Sequence, residues 1–192
     1  MSSRLWLLFV LAAAAALLIS HRASATDVRF GIGRPATADE IAGWDIDVRA
    51  DGQGLPPGRG SVSDGRKIYV QVCAACHGQN GEGKPADQLV GGFGTLATTK
   101  PVRTVGSYWP YATTLFDFIR RAMPFNAPQS LTDDQVYAVA AYILYLNKIV
   151  PEDAVLDAAS MPQVAMPNRN GFTSPDPRPD VQRSRLPVVP NR

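Results

Sequence analysis

Val72-Cys73-Ala74-Ala75-Cys76-His77-Gly78 is the stretch from which the rest of this 192-residue chain is read. Cys73 and Cys76 are its only cysteines, three positions apart. On one turn of helix that spacing brings both sulfurs to the same side. Two thiols so placed suit a disulfide in an oxidising compartment, or a redox dithiol, which expects a βαβ setting. The residue that follows decides between them. His77 puts an imidazole directly beside the second sulfur.

Cys-x-x-Cys-His is the attachment signature of c-type haem. Two thiols reach the two vinyl groups along one edge of a porphyrin, and the imidazole then falls under the iron. Both sulfurs become thioethers, which leaves neither for a disulfide. The expected cofactor is therefore one covalently bound haem c, held by Cys73 and Cys76 with His77 on the iron.

The start of the chain agrees with this. Arg4 is a positive n-region, Leu5 to Ile19 form an apolar run, and Ala23-Ser24-Ala25 is a small-x-small cleavage site. That is the layout of a secretory signal peptide over residues 1–25. The rival, a permanent anchor, needs an apolar run of about 20 residues, longer than this one. A periplasmic protein with no membrane span after cleavage is expected. Residues 1–25 hold Arg4 and Arg22 and no acidic residue, so nineteen basic residues become seventeen, against seventeen acidic. Nothing here supplies the positive field that a nucleic acid partner requires.

Counting narrows the sixth position on the iron. The only other histidine, His21, leaves with the signal peptide, which excludes a second histidine ligand. Methionine or an open position remains. Met123, Met161 and Met166 are each followed by proline, so that pair does not discriminate among them. Position favours Met123, which follows His77 by 46 residues, in a turn between two helical patterns. Proline after it stops the helix and holds the loop extended. Met161 and Met166 fall in a proline-rich tail.

Around the site the spacing predicts helices. Ser63 as N-cap with Asp64 behind it opens a helix carrying Ile68, Tyr69 and Val72 into the cysteine motif. Gly65 shares a face with Tyr69, where a missing side chain permits close helix contact. A second helix is expected from Thr114 to Ala122, with Leu115, Phe118 and Ile119 inward and Arg120 and Arg121 complementing its dipole. The third begins at Thr132, where Gln135 completes a capping box and Leu131 with Val136 makes a hydrophobic staple. Its stripe is Val136, Val139, Ala140, Ile143 and Leu146, with Tyr142 on the same seam and Asn147 and Lys148 closing it. Between motif and second helix, Gly78, Gly81, Gly83, Gly91, Gly92 and Gly94 allow backbone to approach a flat macrocycle.

The flanks differ. Residues 26–62 contain a short helix after Thr37, boxed by Glu40, then a strand-like alternation Trp44-Asp45-Ile46-Asp47-Val48 and a Gly- and Pro-rich linker. Residues 149–192 hold half of the sixteen prolines and are expected to be extended. The organisation is thus a signal peptide (1–25), an N-terminal extension or docking segment (26–62), a helical domain (63–148) and a C-terminal tail (149–192).

Helix, CxxCH, irregular loop with methionine, amphipathic last helix: this order over residues 63–148 resembles the class I cytochromes c. The resemblance implies an all-α fold in which the first and last helices cross, with irregular N- and C-terminal extensions. It also implies His/Met ligation by His77 and Met123. Pro85 falls where a family proline offers its carbonyl to the proximal histidine, and Tyr108, Trp109, Arg103 and Lys100 are candidates for propionate contacts. The stretches from Phe30 to Val62, Gly94 to Asn147 and Lys148 to Phe172 further resemble the cytochrome subunit of sulfane dehydrogenases (SoxD-type). That resemblance implies a molybdenum-cofactor dehydrogenase partner of the sulfite-oxidase family. The cytochrome would be an electron-transfer subunit, not itself catalytic, that accepts electrons from this molybdenum dehydrogenase as it oxidises sulfane sulfur or sulfite. It would hand them to a downstream cytochrome c or oxidase. Some members carry a second haem domain; this chain has one CxxCH. The alternatives are a free shuttle to a terminal oxidase and a catalytic or gas-sensing haem protein with Met123 off the iron.

Overall fold

A computed structural model of the chain describes residues 32–173, so the expected signal peptide and the last part of the tail lie outside the described residues. The chain divides between Ile41 and Ala42. On the short side, Thr37 and Glu40 form the expected box: Glu40 N donates to Thr37 Oγ1 at 3.3 Å and Thr37 N donates to Glu40 Oε2 at 2.8 Å. Arg34 pairs with the same carboxylate and, with those hydrogen bonds, holds it down to about 2. The helix that starts there, α1 (Ala38–Trp44), buries none of its side chains.

The unit from Ala42 onward is helical. Its elements are a short strand β1 (Arg59–Ser61), helix α2 (Val62–Val72), the single turn α3 (Ala74–His77), helix α4 (Ala112–Ala122), helix α5 (Asp133–Leu146) and a strand β2 (Val155–Asp157). A 3-10 turn over Met161–Gln163 follows. Helix α2 begins two residues earlier than the sequence suggests. Its N-cap is Ser61, whose hydroxyl accepts from Asp64 N at 3.0 Å, because Val62 is already helical and buried. Asp64 sits in the first turn, where its charge suits the helix dipole.

Helices α2 and α5 make the most extensive packing in the molecule. Gly65 permits it: a Cβ there would collide with the carbonyl of Ala138. Tyr69 is fully buried, with its ring 5.3 Å from that of Tyr142 in an edge contact. Val72, expected inward, is 41 % exposed. In α4 the large apolar side chains that are buried are Leu115, Phe116 and Ile119, with Thr113 and Asp117 buried beside them; Phe118 faces outward, contrary to expectation. Phe116 packs at a tilt of 44° against Tyr137 of α5 with centroids 4.4 Å apart, and that contact fixes which face of α4 turns in.

Helix α5 opens with the full capping box at Thr132 and Gln135. Leu131, the outer half of the expected staple, packs against the core. The stripe from Val136 to Ile143 is buried as expected, but so is every residue from Val136 to Leu144. The reason is the flanks. β1, β2, α2 and α4 all pack on α5, and Gly60 lies against the backbone of Ala138. β1 pairs antiparallel with β2, Gly60 opposite Leu156. The tail is therefore not extended over 149–173: Leu156, Met161, Val164 and Met166 are all core residues. Nor do residues 44–48 form a strand. Val48 N donates to the side chain of Asp117 at 3.1 Å rather than to a neighbouring strand. Among the described residues no helix is long and apolar enough to cross a membrane.

Candidate haem site

The cysteine motif lies at the end of α2, where the helix breaks and restarts. Cys73 N donates to Tyr69 O, and Cys76 N and His77 N both donate to Cys73 O, at 2.9–3.1 Å. That turn is α3. It ends at Gly78, whose φ of +83° a side chain would strain. The Gly78 carbonyl accepts from the hydroxyl of Tyr69 at 3.0 Å, so the buried tyrosine ties the last residue of the turn back to α2. Beyond Tyr69 sharing a face with Gly65, nothing in the residue pattern signals this bond.

Cys73 is half-buried and Cys76 exposed, and neither forms a disulfide. Burial, with Cys76 adding to it, pushes the Cys73 thiol up to about 11. A redox dithiol or a metal-bound thiolate needs the opposite shift.

His77 Nδ1 lies 2.8 Å from the carbonyl of Asp87. Facing a carbonyl, that nitrogen carries the proton and donates it. Nε2 is left as the lone-pair nitrogen, and the ring is oriented as metal-bound imidazoles are. The expected acceptor was Pro85; the structure places it two residues on. The loop folds back on the motif, with Gly83 N donating to His77 O at 2.8 Å and Ala86 N to Cys76 O at 2.9 Å. Those bonds turn the chain so that Asp87, beyond Pro85, presents its oxygen.

The loop is anchored from the other side by Asn147, the buried C-cap of α5. Its Oδ1 accepts from Gly91 N at 3.1 Å, and its Nδ2 donates to Leu89 O and Ile143 O. The glycines therefore serve backbone conformation first. Gly91 and Gly92 have φ of +92° and +75°, and a side chain at Gly92 would also meet the carbonyl of Val102.

Met123 is the C-cap of α4. Its N–H donates to Ile119 O at 3.0 Å, its backbone is extended, and its side chain is partly buried against the core. Met161 and Met166 differ: they are 0 % and 3 % exposed and surrounded by core. A side chain enclosed in packed protein has no free side to offer an iron. Of the three methionines among the described residues, only Met123 is accessible at a loop next to a helix end.

The propionate candidates divide. Arg103 and Tyr108 line a hollow of about 360 Å³ with Leu96, Pro101, Asn168 and Phe172, the guanidinium 5.5 Å above the Tyr108 ring. Trp109 packs edge-on against Phe118, centroids 5.7 Å apart, and Lys100 is exposed; neither lines the hollow.

The cytochrome c family model matches residues 62–147. The crystal structure of the sulfane dehydrogenase SoxCD from Paracoccus pantotrophus contains a chain similar to this one. The two share 42 % identity at a TM-score of 0.73, over 85 % of this chain and 79 % of that one. The chain belongs to the cytochrome c family. Its cofactor is covalently bound haem c, and the donor set fits that group: two free thiols on one turn, an oriented imidazole and an accessible thioether. This cytochrome also resembles two thiosulfate dehydrogenases. That of Psychrobacter arcticus is 29 % identical over 88 residues, 46 % of this chain and 27 % of the relative. That of Stutzerimonas stutzeri is 33 % identical over 89 residues, 46 % and 28 %. The cytochrome thus spans little more than a quarter of the length of these relatives.

Proposed function

We propose that this cytochrome is a periplasmic monohaem subunit that accepts electrons from a molybdenum-containing sulfane or sulfite dehydrogenase and passes them to a downstream carrier. The observation that carries this reading is the reach of the similarity to SoxCD. It covers 85 % of the chain, well beyond residues 62–147, so it includes the flanks that make this cytochrome unlike a bare carrier domain. Large bare aromatics support docking: Trp44 and Phe125 are 87 % and 86 % exposed. Aromatic side chains are enriched where proteins meet.

In this reading Cys73 and Cys76 tether the haem and His77 and Met123 ligate its iron. When bound, the haem supplies a one-electron couple. The protein's part is to set and protect that couple. The Asp87 carbonyl holds the His77 ring by its Nδ1–H, and Met123 would offer its thioether to the iron and raise the potential. Held by His77 and Met123, the iron would be closed to small molecules and the chain would act as a relay. The flank from residue 26 to 62 docks the catalytic subunit.

Affinity capture of the tagged holoprotein from native periplasm tests this. Co-purification of a molybdenum-containing protein, with haem reduction driven by sulfite or thiosulfate, is expected. Recovery as a lone small cytochrome that neither compound reduces would refute the subunit role and leave a free shuttle.

A further inference from the structure

Residues 46–50 run alongside α4 in the opposite direction and hold it at three points. The Thr113 hydroxyl donates to Ala50 O at 3.4 Å, Asp117 Oδ1 accepts from Val48 N at 3.1 Å, and Arg120 Nη1 donates to Ile46 O at 3.2 Å. Positions 113, 117 and 120 are spaced by four and three, so they share one face of the helix. The segment is a strap whose clasps run along α4, from Thr113 in its first turn through Asp117 at its middle to Arg120 in its last turn before the methionine.

The two charged clasps reach further. Asp117 is 8 % exposed and its second oxygen accepts from Arg121 Nη2 at 2.5 Å. Arg120 Nε pairs with Asp133 Oδ1 at 3.1 Å, in the first turn of α5. Arg120 therefore joins the strap, the last turn of α4 and the start of the next helix. Met123 lies one turn beyond Arg120, in the loop between those two helices, and its own N–H closes on Ile119. The position and rotation of this last turn fix where the Met123 side chain begins.

We infer that Asp117 and Arg120 are positioning residues for Met123. By gripping residues 46–50 they hold the end of α4 so that the thioether stays in place. This inference rests on Met123 being the sixth ligand of the haem iron. The extension thus has a role inside the cytochrome, apart from any partner.

The test uses purified holoprotein and two readouts: the rate of carbon monoxide binding to the reduced form and the sulfur-to-iron(III) absorption band of the oxidised form. Arg120→Ala and Asp117→Ala should speed carbon monoxide binding by about tenfold, the order expected when one charged hydrogen bond is lost. Both should also weaken the band. Arg120→Lys and Asp117→Asn, which keep a donor to Ile46 or an acceptor for Val48, should restore most of the wild-type behaviour. Tyr137→Phe removes another tie of the extension, the bond to Pro56 O at 2.9 Å, but on α5. It should leave both readouts unchanged. Wild-type rates in Arg120→Ala, alongside fast binding in Met123→Ala, would overturn the inference; the Arg120 pair decides it even if Asp117→Ala fails to mature. Slow binding in Met123→Ala would instead remove the ligand assignment, and the inference with it.

Discussion

His77 donates from one ring nitrogen to a backbone carbonyl and keeps the other for a ligand, and Met123 is the only one of the three methionines among the described residues not enclosed by core. These two facts separate the methionines experimentally. Met123→Ala should lower the reduction potential by on the order of 100 mV and open the iron to carbon monoxide. Met161→Ala should leave potential and ligand binding alone but cost about 3 kcal/mol of stability, because it empties a fully buried site. Potentiometry and denaturant unfolding of the two holoproteins check this, and equal potentials would undo the assignment. His77→Ala should abolish accumulation of haem-stained protein. At this scale the place of the cysteine motif at the end of a helix and of Met123 between two helices was legible, because both depend on spacing along the chain. The Asp87 carbonyl was not, since any residue has a carbonyl and only the path of the loop selects one. Asp117 left a faint trace, as a carboxylate amid the apolar positions of α4.

Among the elements, α5 was the most legible, since Thr132 and Gln135 announce its start. Thr132→Ala should cost about 1 kcal/mol by leaving helix N–H groups without their cap, read as a lower midpoint in urea. Gly65→Ala should cost more, about 3 kcal/mol, because the new methyl has backbone as its obstacle and the two helices must separate. The same measurement, with the yield of holoprotein beside it, checks both. The inward face of α4 was misread at Phe118. Phe116 and Phe118 are equally apolar, and only the ring of Tyr137, far along the chain, determines which is covered. The start of α2 was placed at Ser63 for a related reason: Ser61 and Ser63 cap equally well in isolation, and the burial of Val62 against α5 breaks the tie.

Seen whole, the molecule is closed by its flanks. The proline content of residues 149–192 suggested an extended tail, yet Leu156, Met161, Val164 and Met166 belong to the core. Proline composition reports which backbone is excluded from helices, and says nothing about whether side chains between prolines are covered. A chain ending at Lys148 loses those four side chains, each worth about 1.5–3 kcal/mol of burial, together comparable to a domain's entire stability. Such a truncation should yield no folded holoprotein, as judged by haem staining and circular dichroism; normal yield would mean that the tail is dispensable. The continuous burial of α5 from Val136 to Leu144 was hidden for the same reason, since its outer cover comes from β1 and β2 at opposite ends of the chain.

The pairing of Arg59 with Asp157 carries a consequence for biogenesis. A ribosome delivers Cys73, Cys76 and His77 long before Asp157 exists, and until then β1 has no strand to bind and the outer side of α5 has no lid. The motif thus passes through an interval in which the polypeptide around it is unfinished and open. Until Asp157 is in place opposite Arg59, one face of α5 stays bare, so the packing around the motif is completed only when the last strand arrives.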